Sequence, residues 1–173
     1  MALKSFFFFL IILLGLHSNS FGQKSFQTVK GSKAKYTLTI PPGYSVKEKI
    51  GANIDLKYVN SEGASIITTV KKIPSGVNFK IDDMDDATDE QIINQFEANG
   101  MENVTLIKRG LNTINNVKSY FMYYTDGTLY YHTINQFKNG KIINLTFTCE
   151  YANKSTYMPY IFRVVNSLKY IKP

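Results

Sequence analysis

The sequence predicts an α+β domain in which helices pack on a largely antiparallel sheet. Three observations favour this class. Apolar and polar residues alternate with the period of strands along most of the chain. Short turn sequences join successive candidate strands. Apolar residues recur at helical spacing in only two segments, so the predicted order is three strands, a helix, four strands and a final helix.

The first 23 residues have the pattern of a secretory signal. Lys4 precedes an apolar run over 6–16, and small or polar residues follow over 18–23. A retained anchor is the alternative, but the run is shorter than the roughly 20 residues that span a bilayer. We therefore expect an exported protein, periplasmic or extracellular, with no transmembrane segment after signal cleavage. Residues 24–34 are predicted to be a flexible, lysine-rich lead-in that touches an anionic surface or is simply a mobile terminus.

Residues 35–173 are predicted to form a single domain that opens with three strands. Tyr36, Leu38 and Ile40 alternate with polar residues, and the sequence Pro-Pro-Gly ends this strand at 41–43. Further strands are predicted over 54–59 and 64–73.

A helix is predicted to follow these strands. Thr88 and Gln91 have the spacing of a capping box, in which the side chains of both residues satisfy amide groups at the helix start. Ile92, Ile93 and Phe96 then form an apolar stripe.

The second half of the chain is predicted to form four strands and a helix. The strands are placed over 104–111, 117–124, 129–137 and 142–149. Asp126-Gly127 and Asn139-Gly140 are typical of type I′ hairpin turns, in which both central residues have positive φ. Several strands are apolar on both faces, which favours a sheet covered on both sides. The final helix is predicted over 155–168, with Pro159 in its first turn.

Two segments of this pattern resemble the PsbP-like fold. They are the opening Tyr-Thr-Leu-Thr-Ile-Pro-Pro-Gly-Tyr over 36–44 and the closing Tyr-Ile-Phe-Arg-Val-Val-Asn-Ser-Leu over 160–168. The fold is shared by an extrinsic photosystem II subunit, a Ran-binding transport factor and many secreted bacterial proteins. The resemblance implies a three-layer α/β/α arrangement, with an antiparallel sheet between helices. It also implies a non-enzymatic binding or accessory protein.

The charge of the chain excludes one class of partner. The formal net charge is +7, but the lysines are spread along the sequence and are not interleaved with arginines and aromatic residues. We therefore expect no nucleic-acid partner.

Residues with catalytic chemistry are scarce. His132 is the only histidine after the signal, and Cys149 lies in a candidate strand, where a buried inert thiol is favoured. Phosphate loops, nucleophile elbows and paired zinc thiols do not occur in the sequence. A secreted hydrolase-type enzyme that uses His132 or the acidic residues between Asp82 and Glu90 stays open as the alternative function.

An acidic cluster, which contains six of the 13 acidic residues, precedes the first helix. Its members are Asp82, Asp83, Asp85, Asp86, Asp89 and Glu90. Carboxylates are favoured there by the positive end of the helix dipole. A Ca²⁺ site at Asp82, Asp83, Asp85, Asp86 and Asp89, or a docking surface for a basic partner, is the alternative.

Tyrosines concentrated in the second half of the chain suggest a contact surface. Packing in the core and at its rim is the simpler interpretation. If a surface exists, Tyr124, Asp126, Tyr130 and His132 are its candidate members. The first hypothesis is therefore an exported, monomeric binding or accessory protein that acts through an unknown protein partner or small ligand in the cell envelope.

Overall fold

The structure, a computed structural model, describes residues 25–49 and 51–171. The predicted signal therefore lies outside the described residues. The strands are β1 Gln27–Lys30, β2 Tyr36–Ile40, β3 Ser45–Val46, β4 Ile54–Val59, β5 Ser65–Lys72, β6 Thr105–Ile114, β7 Val117–Thr125, β8 Leu129–Lys138, β9 Lys141–Glu150 and β10 Lys169–Tyr170. The α-helices are α1 Asp89–Ala98 and α2 Lys154–Ser167. Within the described ranges, no helix has the length and apolar character needed to span a bilayer.

The strands form two antiparallel sheets. The large sheet has seven strands in the order β3-β4-β5-β9-β8-β7-β6, and the small sheet has the order β1-β2-β10. Hairpins join β6 through β9, so neighbours in this half of the sheet are also neighbours in the sequence.

The two faces of the large sheet are covered differently. Ile143, Leu145 and Phe147 of β9 point to what we call the near face, where α2 and the small sheet bury them completely. The opposite face, here called the far face, carries α1, whose Phe96 ring centroid lies 4.6 Å from that of Tyr124. The predicted α+β architecture, with an antiparallel sheet between helices, is confirmed.

The tight turns follow local sequence, with one correction. Asn139 and Gly140 have φ values of 53° and 69°, as the type I′ prediction requires. The same prediction for Asp126-Gly127 is wrong, because three residues separate β7 from β8 and only Gly127 has a positive φ, of 90°. A further turn at Asn115-Asn116 has φ values of 49° and 62°. Asparagine tolerates this conformation better than most residues.

The lead-in predicted to be flexible contains a strand. β1 pairs with β2 along its whole length, from Gln27 opposite Ile40 to Lys30 opposite Thr37. Sequence composition favoured a mobile terminus, but the free edge of β2 offers these residues hydrogen-bonding partners.

Both predicted helices form. Thr88 accepts a hydrogen bond from the Gln91 amide, and the Gln91 side chain accepts one from the Thr88 amide, so the capping box is confirmed. In the second helix, α2 begins at Lys154, so Pro159 lies in its second turn and not in its first. Ser155, the residue whose carbonyl Pro159 leaves without an amide partner, is exposed, so that carbonyl is accessible to solvent.

Candidate functional site

The four residues predicted to form a contact surface do not lie on one surface. Tyr124 points to the far face, whereas Tyr130 and His132 point to the near face, because alternate residues of a strand face opposite ways. The exposed fractions are 6% for Tyr124, 4% for Tyr130 and 1% for His132. Tyr124 and Tyr130 are therefore not exposed as expected, since the sheet is covered on both sides where they lie, and a role of these residues in binding a partner or ligand stays a prediction.

His132 is enclosed by aromatic rings. The ring centroids of Tyr123, Phe162 and Tyr130 lie 4.0, 6.0 and 6.4 Å from that of the imidazole. Burial in this apolar surrounding lowers the pKa of His132 to about 4, and its Nδ1 atom has no hydrogen-bond partner. The imidazole is thus neutral at physiological pH, and among the described residues no carboxylate accepts a hydrogen bond from Nδ1, as would be needed to orient a catalytic base.

Asp126 builds the turn between β7 and β8. Its Oδ1 accepts hydrogen bonds from the amides of Thr128 and Leu129 at 2.9 and 2.7 Å, and its Oδ2 accepts one from the Tyr131 hydroxyl at 2.8 Å. Desolvation opposes ionisation of this carboxyl, but the three donors together lower its pKa. Both carboxylate oxygens of Asp126 therefore stabilise the turn through these hydrogen bonds.

The acidic cluster is tied to the large sheet. Arg109 of β6 binds Asp89 at 2.6 Å and Asp85 at 3.2 Å, and Lys118 of β7 binds Asp82. Asp83 accepts a hydrogen bond from the Lys80 amide at 2.9 Å.

These contacts give the cluster a structural role. They attach the segment that precedes α1 to two strands on the far face. In the described part of the chain, no three acidic, histidine or cysteine side chains converge as a metal site needs, and the Ca²⁺ site stays a prediction from the sequence.

The lone cysteine behaves as the sequence predicts. Cys149 is free and 1% exposed on the near face, and burial raises its pKa to about 11. The thiol is therefore protonated and out of reach of solvent.

The site that sequence reasoning missed is a groove beneath α1. The helix is fixed at its start by the ion pair from Asp89 to Arg109 and near its end by the contact between the tilted rings of Phe96 and Tyr124. No residue of α1 is buried, so the helix does not pack closely on the sheet between these attachments.

The groove, here called the α1 groove, has a volume of about 550 Å³. It is lined by Met84, Ala87, Gln91, Ile92, Gln95, Phe96, Tyr120 and Met122. None of these residues is charged, and most of the lining is apolar. The apolar stripe of α1 predicted that this face of the helix lies towards the sheet. A sequence pattern alone does not distinguish a closely packed helix face from one that borders an open groove.

The chain has structural relatives of low sequence identity. No protein-family model and no curated protein sequence matches it. The solution structure of cyanobacterial PsbP (CyanoP) from Synechocystis sp. PCC 6803 is similar with a TM-score of 0.66 at 16% identity, over 86% of this chain and 94% of that chain. LpqN of Mycobacterium tuberculosis, described as involved in cell envelope biogenesis, is similar with a TM-score of 0.54 at 11% identity, over 86% of this chain and 91% of that chain. The TM-scores establish a shared architecture. At identities this low they show the fold alone, so function has to be argued from the site.

Proposed function

We propose that this protein, whose PsbP-like fold is confirmed by these similarities, is an exported, non-enzymatic binding protein that holds a neutral apolar ligand in the α1 groove. One observation carries the proposal: α1 lies over the far face without burying any of its own residues and leaves an apolar groove of about 550 Å³. Small-molecule sites have volumes of about 300–1,000 Å³ and mostly apolar linings.

The lining specifies the kind of ligand. Its apolar side chains gain about 25 cal/mol for each Å² of apolar surface that a ligand removes from water. Met84, which precedes α1, and Met122 of β7 both line the groove, and methionine adapts its unbranched side chain to irregular shapes. Gln91 and Gln95 supply amide groups, and no charged side chain lines the groove. These features fit an uncharged acyl chain or aromatic ring system.

In the part of the chain that the structure describes, a catalytic role of His132 has no supporting arrangement of side chains. A hydrolase built on His132 needs a carboxylate or nucleophile beside the imidazole, within a cleft that admits substrate. His132 instead contacts aromatic rings on the near face, and the α1 groove lies against the far face. Cys149 is also on the near face, with a raised pKa. Binding is therefore the function that the α1 groove supports.

The test is titration of the purified protein with N-phenyl-1-naphthylamine, an uncharged probe that fluoresces in apolar sites. We expect saturable binding to the natural protein. Ala87→Phe places a ring inside the groove, and we expect it to weaken binding by about tenfold or more. Ala98→Phe is the matched control, because Ala98 is at the end of the same helix, exposed and outside the lining. Equal affinities for both variants and the natural protein would overturn the proposal.

A further inference from the structure

A row of lysines crosses one end of the large sheet. Lys72 of β5 pairs with Lys141 of β9, and Lys141 pairs with Lys138 of β8. Each of the three lysines is two residues away from a buried near-face residue of its own strand, so all of them lie on the near face beyond the core. Like charges directly opposite one another destabilise a sheet. This register therefore has an electrostatic cost that a bound anion would remove.

Two of these lysines border a cavity of about 360 Å³. It lies where the β8–β9 hairpin meets the small sheet, and its lining comprises Ala34, Lys35, Lys138, Asn139, Lys141, Tyr170 and Ile171. Three residues of this lining are lysines and none is acidic. Within the described ranges, none of the three ion pairs involves Lys35, Lys72, Lys138 or Lys141. A concave site lined by one sign of charge concentrates ions of the opposite sign.

The protein already positions two of the ammonium groups. Lys141 Nζ donates a hydrogen bond to the Lys33 carbonyl at 2.6 Å, and Lys138 Nζ lies 4.9 Å from the ring centroid of Tyr170. An ammonium group has three N–H donors, so Lys141 keeps two for a ligand. Lysines held in this way lose less side-chain entropy when an anion binds.

We propose that this cavity, the lysine site, binds a phosphoryl group. A multiply charged anion matches several converging positive charges better than a single carboxylate does, and lysine binds phosphate as a point charge. The phosphoryl group can belong to a free phosphate compound or to a lipid headgroup. The lysine site and the α1 groove lie against opposite faces of the large sheet. The result of the phosphoryl-binding test is therefore independent of whether the α1 groove binds an apolar ligand.

The experiment compares two double variants that each remove two positive charges. Lys138→Gln/Lys141→Gln alters the lysine site. Lys47→Gln/Lys71→Gln is the control, because Lys71 lies on the far face beside Lys72, and Lys47 is exposed in a loop. Each protein is titrated with inorganic pyrophosphate by calorimetry, and is sedimented with vesicles of phosphatidylcholine alone or mixed with phosphatidylglycerol.

We expect pyrophosphate to bind the natural protein and the control with similar affinity. We expect its affinity for the lysine-site variant to be lower by about tenfold or more. Binding to phosphatidylglycerol vesicles but not to pyrophosphate, with the same dependence on the lysine site, also supports the proposal and assigns the group to a lipid. An equal loss of binding in both double variants would show a general effect of net charge and would overturn the proposal. Absence of binding to both probes would also overturn it. Thermal unfolding checks folding, and without anion the lysine-site variant should melt no lower than the control, since its charge repulsion is relieved.

Discussion

The burial of His132 predicts a specific loss of stability in mild acid. An unfolded histidine has a pKa of 6.5, and the apolar surrounding in the folded protein lowers the pKa of His132 to about 4. Between these values the unfolded chain takes up a proton that the folded protein excludes. The contribution of neutral His132 to the free energy of unfolding is therefore fully present above pH 6.5 and is lost as the pH falls towards 4.

The size of the effect follows from the two pKa values. The free energy of unfolding should fall by about 2 kcal/mol between pH 7 and pH 5, and by about 3 kcal/mol at pH 4. A domain of ordinary stability has about 5–15 kcal/mol in total, so this loss is easily measured. Asp55 and Asp126 have pKa values lowered from the ordinary 3.8, so the stability that depends on them is present above that value and changes little between pH 7 and pH 5.

The assay is urea unfolding at pH 7 and pH 5, for the natural protein and for His132→Phe. The phenylalanine keeps an aromatic ring among Tyr123, Tyr130 and Phe162 but does not titrate. We expect the variant to lose most of the pH dependence. A parallel loss in both proteins would refute the reasoning. If the variant does not fold, titration of the His132 ring protons by NMR answers the same question, and a pKa near 6.5 would refute it directly.

Three further outcomes test the structure. Asp126→Ala leaves two backbone amides and the Tyr131 hydroxyl without their acceptor, and should lower the free energy of unfolding by about 1–3 kcal/mol, whereas Asp126→Asn should cost less. Gly31→Ala would place a methyl carbon against the buried Tyr36 ring, and should lower the free energy of unfolding by about 1–3 kcal/mol; unchanged stability would contradict this close approach. Cys149 should resist a thiol reagent at pH 8 until the protein is unfolded in urea, and rapid native labelling would contradict its burial.

Features of the fold that depend on neighbouring residues could be predicted from the sequence. Thr88 and Gln91 define the start of α1, and Asn139-Gly140 defines a hairpin, because these side chains or backbone angles act locally. By contrast, β3 and β10 have two residues each. Strands this short form only because distant segments supply their pairing partners, and no local pattern marks them.

The sites were harder to predict than the fold. Alternation shows that Tyr130 and His132 share a face, but whether that face is covered depends on α2, which comes later in the chain. The row from Lys72 to Lys138 likewise exists only because β9 pairs with β5 in one particular register. Sequence reasoning treated these lysines as dispersed, and they are dispersed along the chain but not in space.

The edge strand β6 is irregular, because its pairing with β7 shifts in register between Leu106 and Lys108. β6 is the outermost strand of the large sheet and, among the described residues, pairs only with β7. A free edge of this length can act as a template for a strand of another molecule. The register breaks between Leu106 and Lys108, so an incoming strand would meet an irregular ladder near the start of β6. Arg109, which follows this break, binds Asp85 and Asp89, so the irregular part of the edge strand is also the part to which the start of α1 is attached.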